Sequence, residues 1–137
     1  MPDIRDKEGR LCHKILWACD IKAGRKDISE PREWLQLSQL NYSTGKKFKA
    51  HQHIWRSVPD YAIPQESWVI IKGEVQITLY DCEGNQLYKN ILTQGDVSIT
   101  YQGGHEYEII ADDTLVYEYK TGPYYGQDLD KSYDNYS

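Results

Sequence analysis

Gly45-Lys46-Lys47-Phe48-Lys49-Ala50-His51-Gln52-His53 and, twelve residues further on, Glu66-Ser67-Trp68-Val69-Ile70-Ile71-Lys72-Gly73 are the stretches on which the fold of this chain turns. His51 and His53 stand two apart. On a β-strand successive side chains alternate between faces, so both imidazoles leave the same face, about 6.5–7 Å apart along the strand. Two rings at that spacing can converge on one ion. Downstream, Gly95 is followed by Tyr101-Gln102-Gly103-Gly104-His105, which supplies a third histidine after a glycine turn.

Around these stretches the chain reads as strands throughout. A strand-like segment at 35–42 precedes others at 48–53, 67–72, 74–80, 86–92, 97–101, 107–111 and 115–120. Turn signals separate them: Asp81-Cys82-Glu83-Gly84-Asn85, with Gly84 or Asn85 able to take a positive φ, then 93–96 and 111–114. Short strands with turns at this spacing predict an all-β sandwich or closed antiparallel barrel. No helix-periodic run exceeds about three turns, so a layered α/β fold is excluded. Residues 1–34 are expected to be an arm and connecting segment, with a short strand at 14–17 and a helical turn at 31–34. The barrel is expected at 35–120, and a tail rich in tyrosine and aspartate at 121–137. Leu79, Val97, Ile99 and Val116 are the core positions that alternation suggests.

The 137 residues suit one domain with its own core. The formal charge of −5 argues against nucleic-acid binding, which needs a basic patch. Lys46, Lys47 and Lys49 cluster, as the solvated end of a strand or as a contact for an anion. Cys12, Cys19 and Cys82 are odd in number without CxxC spacing, the N-terminus is polar, and no run approaches the ~20 apolar residues of a membrane span. These features predict free thiols, a cytoplasmic location and no membrane partner. The skew to 12 Tyr and 4 Trp against one Phe and one Met fits strand propensity, and also the walls of a half-wet pocket.

Gly45-x5-His51-x-His53, Glu66-x6-Gly73 and Gly95-x5-Tyr101-x-Gly103-x-His105 resemble the two motifs of the cupin superfamily, over residues 35 to 120. Those motifs run Gly-x5-His-x-His then Glu-x6-Gly, and Gly-x5-Pro-x-Gly-x2-His-x3-Asn. The chain departs from them in four places. Twelve residues, Ile54 to Gln65, separate the histidines from the glutamate instead of three or four, Tyr101 stands for proline, one residue is missing before His105, and Ile109 stands for asparagine. The resemblance implies a cupin-type β-barrel (a double-stranded β-helix, or jelly roll) with little helix. It also implies a metal held by His51, His53, Glu66 and His105, and a homodimer. Three imidazoles and a carboxylate suit one divalent transition metal, Fe, Mn, Ni or Zn, and not Mg or Ca. The segments 65–81 and 120–124 resemble short single-domain cupins of bacterial surface-polysaccharide biosynthesis, which implies a sugar-like substrate.

If Glu66 faces inward, so do Trp68 and Ile70; if His105 does, so do Tyr107 and Ile109. Trp68 and Tyr107 would then wall a substrate pocket, with Tyr101 at its rim. Arg25 and Arg56 are candidates for gripping an anionic group, because guanidinium binds oxyanions bidentately. Glu106 and Glu118 are the candidate proton-moving residues. Glu118 and Lys120 form either an acid/base pair in the pocket or a surface couple, according to which face of their strand is internal. The expected function is isomerase, epimerase or oxygenase chemistry on a small polar molecule. The alternative is a metal-dependent binding or sensing module without catalysis.

Overall fold

A computed structural model describes residues 2–54, 64–123 and 131–136. Twelve strands are described: β1 (Asp3–Arg5), β2 (Leu11–Lys14), β3 (Gly24–Asp27), β4 (Leu35–Tyr42), β5 (Lys47–His53), β6 (Glu66–Lys72), β7 (Glu74–Tyr80), β8 (Gln86–Thr93), β9 (Val97–Thr100), β10 (Gly104–Ile109), β11 (Thr114–Thr121) and β12 (Lys131–Ser132). β1 and β2 make a small hairpin. The others form two five-stranded antiparallel sheets in the orders β12-β5-β10-β7-β8 and β3-β4-β11-β6-β9. The only helical element among the described residues is a 3-10 turn at Ala18–Asp20. Among the described residues no helix is long and apolar enough to cross a membrane.

The sheets pack with their inner faces grading from apolar to polar. Register places Leu40, Val116 and Ile70 in one row, Ser38, Glu118, Trp68 and Ser98 in the next, and Gln36, Lys120, Glu66 and Thr100 in the last. The facing sheet supplies Ile77 and Tyr107 beside Phe48, then Leu79, His105 and His51. The apolar rows, with Val75 and Ile109, form the core. Each large side chain there contributes about 1.5–3 kcal/mol by burial. The polar rows build the site. β11 thus turns Glu118 and Lys120 inward.

Several expectations need correction. Val116 is fully buried and Leu79 packs against the core, but Val97 and Ile99 are 49% and 55% exposed. The inner face of β9 belongs instead to Ser98, whose hydroxyl meets the Tyr107 hydroxyl at 3.1 Å, and to Thr100, at 2.9 Å from His105 Nδ1. Alternation alone sends the apolar set inward; here the polar set is needed inside. The sheet also starts before 35, because β3 pairs with β4 from Gly24 to Asp27. Its charged edge sequence hid it. The strand expected at 14–17 ends at Lys14 as β2, and the chain at 31–34 turns without forming a helix.

Candidate metal centre

Glycine turns and one bulge aim the ligands. In the pairing of β5 with β10, Phe48 lies opposite Tyr107 and His51 opposite His105. Two residues of β5, Lys49 and Ala50, therefore face one of β10, Glu106. A bulge of this kind re-aims the side chains beyond it. Without it, a strand with Phe48 inside would put Ala50 and Gln52 inside and both histidines out. With it, Phe48, His51 and His53 all point inward. The opposite sheet brings Glu66 to the same place.

The four side chains are buried, His105 completely, and their ligand atoms lie within 4.8 Å of one another. His53 Nε2 is 2.6 Å from Glu66 Oε2, His105 Nε2 is 3.5 Å from that oxygen, and His105 Nε2 is 3.1 Å from His51 Nε2. Donors about 2.1 Å from one ion stand about 3.0 Å apart at right angles and about 3.4 Å apart tetrahedrally. The 3.1 and 3.5 Å separations therefore suit a shared ion, while the 2.6 Å contact of His53 with Glu66 is a hydrogen bond that an ion would open. His51 Nδ1 lies 2.7 Å from the Lys49 carbonyl, which can only accept. Nδ1 therefore carries the proton, and the Nε2 lone pair of the neutral ring faces the cluster. Thr100 holds the corresponding Nδ1 of His105. Outer contacts of this kind fix the tautomer and orientation of metal-binding histidines. The donor set thus fits a divalent transition metal.

Electrostatics follow from burial. Burial, then His105 and Lys131, pushes His51 down to about 3, so it stays neutral. Burial works to raise Glu66, but His105 and the His53 hydrogen bond outweigh it and hold the carboxyl well below its usual range. Beneath the cluster, Trp68 and Tyr107 stack with centroids 3.7 Å apart and planes 3° off parallel. The Trp68 indole N–H is shared between Glu66 Oε1 at 2.8 Å and Glu118 Oε2 at 3.0 Å. Glu118 also accepts from Arg25 Nη2 at 2.9 Å. Burial and the Glu66 charge raise Glu118 above the ordinary carboxylate range, against the pull of Arg25.

A cavity of about 400 Å³ opens beside the cluster, with Phe48, Lys120, Lys131 and Tyr133 in its wall. Lys120 is the register partner of Glu66 and Lys131 of His53, while the Tyr133 ring lies 5.6 Å from that of His51.

The structure gathers His51, His53, Glu66, His105, Trp68, Tyr107 and Glu118, and it does not gather Glu106 or Tyr101. Glu106 faces the other side of β10, where it and burial raise Tyr80 above the usual phenol range. Tyr101 is exposed beyond the end of β9. Arg56 lies outside the described residues. Sequence reasoning missed Ser98, Thr100, Lys131 and Tyr133. Only the phase of β9 could have signalled the first two, and nothing local signals that 131–136 returns to β5.

Neither a protein-family model nor a curated protein matches the sequence. Solved structures do match. KdgF from Halomonas sp. superposes with a TM-score of 0.55 at 21% identity, over 71% of this chain and 76% of that one. Oxalate decarboxylase from Bacillus subtilis gives 0.62 at 13% identity, over 82% of this chain, which spans 28% of that chain's length. The cupin domain of Cnp3 from Schizosaccharomyces pombe gives 0.53 at 11% identity, over 71% and 62% of the two chains. The fold is that of the cupins. Within it, His51, His53, Glu66 and His105 form a buried cluster that could hold a metal ion.

Proposed function

We propose that the chain is a metal-dependent cupin that binds one Fe, Mn, Ni or Zn ion through His51, His53, Glu66 and His105 and acts as an isomerase, epimerase or oxygenase on a small, polar, sugar-like molecule. One observation carries this reading: four mutually converging donor atoms, three of them on side chains oriented by outer hydrogen bonds, border a cavity of about 400 Å³, within the range of small-molecule sites. A bound ion would supply a Lewis acid, or a redox centre if it is iron. The chain's own residues do the rest. Lys49 O and Thr100 hold two imidazoles in the ligating orientation. The Trp68 N–H occupies Glu66 Oε1 and leaves Oε2 toward the histidines. Lys120 and Tyr133 stand in the cavity wall. We also assign the chain a homodimeric state, supported by the apolar side chains Val97 and Ile99 on the outer face of its second sheet.

A second reading has its own support. Glu106 faces away from the cluster and Glu118 is committed to Arg25 and Trp68, so neither proposed proton-moving carboxylate is open to a substrate. That favours a module that binds or senses a ligand at its metal without converting it. Elemental analysis of gently purified protein tests the metal. A panel of sugars and sugar acids incubated with the loaded protein and with His105→Ala, with and without air, tests the chemistry. Metal-dependent conversion supports the enzyme. Tight binding without conversion supports the sensing module, and a metal-free protein that takes up none of the four ions sinks both.

A further inference from the structure

The cavity beside the cluster carries a charge opposite to that of the whole molecule. The chain's formal charge is −5. Yet Arg25, Lys46, Lys120 and Lys131 line this cavity, against one lining carboxylate, Asp27. With Glu118 behind Arg25 and Glu66 beside Lys120 counted too, four cations face three anions. The cations come from separate parts of the chain: Arg25 from β3, Lys46 from the turn before β5, Lys120 from β11 and Lys131 from β12. Four segments of a net acidic protein thus deliver positive charge to one concave place. Lys120 is only 8% exposed, so its charge is poorly screened by salt. A cleft lined by one sign of charge between low-dielectric walls concentrates its field on a ligand of the other sign.

Part of this charge has a structural role. Arg25 Nε donates to Asp27 at 2.9 Å, and its Nη2 to Ser38 at 3.0 Å and Glu118 at 2.9 Å. Its Nη1 meets no acceptor among the described residues. Lys120 also lies in the field of Asp27 and Glu118, Lys131 in that of Glu66, and Lys46 sits over the Tyr42 and Phe48 rings, yet the cations gathered here still outnumber the carboxylates.

We propose that this cavity is an anion subsite: the small molecule taken at the metal centre carries a carboxylate or phosphate, gripped by Lys120 and Lys131 with Arg25 behind them. This rests on the function proposed above and narrows its substrate class. The placement suits a ligand that spans both parts. Lys120 and Lys131 are the register partners of Glu66 and His53, so both lysines start from backbone positions one strand spacing, about 5 Å, from those of two of the ligands and on the same face. Gln36 and Ser38 add hydrogen-bonding groups for hydroxyls, and Phe48 and Tyr133 add faces for a carbon skeleton.

The test uses three probes that share a ring and differ in charge: glucuronate, glucose 6-phosphate and glucose. Binding to the metal-loaded protein is followed by calorimetry at low and high salt, with metal content measured on the same samples. One or both anions should bind, with Kd rising with salt, and glucose should bind at least tenfold more weakly. The tighter anion tells carboxylate from phosphate. Lys120→Gln and Lys131→Gln should each weaken anion binding about tenfold or more, the scale of one charged hydrogen bond, without change in metal content. If Lys120→Gln fails to fold, Lys131→Gln and the exposed Lys46→Gln carry the test. Equal binding of glucose and the anions overturns the subsite, and so do lysine variants that bind the anions as the parent does. The two readings fail separately. Protein without metal that still binds anions through these lysines loses the metal centre and keeps the subsite. Protein with metal whose anion binding ignores the lysines keeps the centre and loses the subsite.

Discussion

Glu66 is the residue on which the centre balances, because its two oxygens are held by different neighbours. Oε2 faces His53 and His105, and Oε1 accepts from the Trp68 indole that Glu118 shares. Trp68→Phe keeps a ring to stack on Tyr107 and deletes that N–H. Two buried carboxylates then lose a common donor, which should cost about 1.5–3 kcal/mol of stability and lower metal affinity about 10–100-fold. Thermal unfolding and competition with a chelator measure the two effects. Unchanged values for both would reduce the indole to a packing group. His51→Ala and His53→Ala should each strip the metal while far-ultraviolet circular dichroism stays that of the parent; full metal content in both variants would overturn the ligand assignment. The metal-free protein should also be acid-sensitive. His51 is pushed down to about 3 in the folded chain, so between its ordinary value of 6.5 and that point the unfolded chain binds the proton and the folded chain does not. Glu66, held below its ordinary range, acts in the same direction at lower pH. The stability present above pH 6.5 should therefore be lost as pH falls through 6.5 toward 3, by up to about 1.4 kcal/mol per pH unit for each proton. A melting temperature flat from pH 7 to 4 would contradict this.

Elements carry the part of the site that single residues do not reveal. The strands expected from β4 to β11 form within about a residue of where alternation and turn residues put them, except β10, which runs Gly104–Ile109 instead of 107–111 and so carries His105 itself. The ligands were legible because HxH, Glu-x6-Gly and the final His105 keep their spacing on those strands. What alternation could not show was phase. The bulge at Lys49 and Ala50 reverses the faces of β5, and nothing in the polar-apolar pattern of Phe48 to His53 announces it. On β9 the apolar residues face out because two hydroxyls are needed within, to hold Tyr107 and His105. β3 and β12 were illegible because short, charged edge strands take their pairing from distant partners rather than from their own residues. Two glycines show how tightly the elements fit. Gly73 turns β6 into β7 at φ +87, where an added Cβ would lie 2.6 Å from the Thr114 Cα. Gly73→Ala combines left-handed strain with a backbone clash, and should cost more than about 2 kcal/mol in chemical denaturation. Gly104→Ala would instead strike the Tyr136 hydroxyl, the far end of a movable side chain that bonds Gln52 and Asp81. It should cost only about 1 kcal/mol and raise hydrogen exchange at 131–136. A larger loss with unchanged exchange would mean that the clash is absorbed elsewhere.

At the scale of the whole molecule the two faces of the second sheet have opposite characters. The inner face ends in the polar row of Gln36, Lys120, Glu66 and Thr100. The outer face carries Leu37, Tyr119, Ser67 and Ile99 in one row and Tyr117, Val69 and Val97 in the next. Leu35 at its margin is 63% exposed. Apolar side chains grouped on one sheet face mark a candidate interface, and a two-fold partner presenting the same face would cover them. The proposed homodimer is therefore placed on this face. A stable contact there needs about 800 Å² from each copy, which Val97 and Ile99 at its edge strand help to supply. Light scattering should give twice the chain mass for the parent protein and the single chain mass for a Val97→Lys, Ile99→Lys double variant. Metal content should stay equal in the two, because the ligands belong to the opposite faces of the strands. A monomeric parent protein would remove the dimer altogether. A double variant that stays dimeric would move the interface to another surface. Loss of metal on dissociation would mean that the partner copy shapes the site, although all four donors come from one chain.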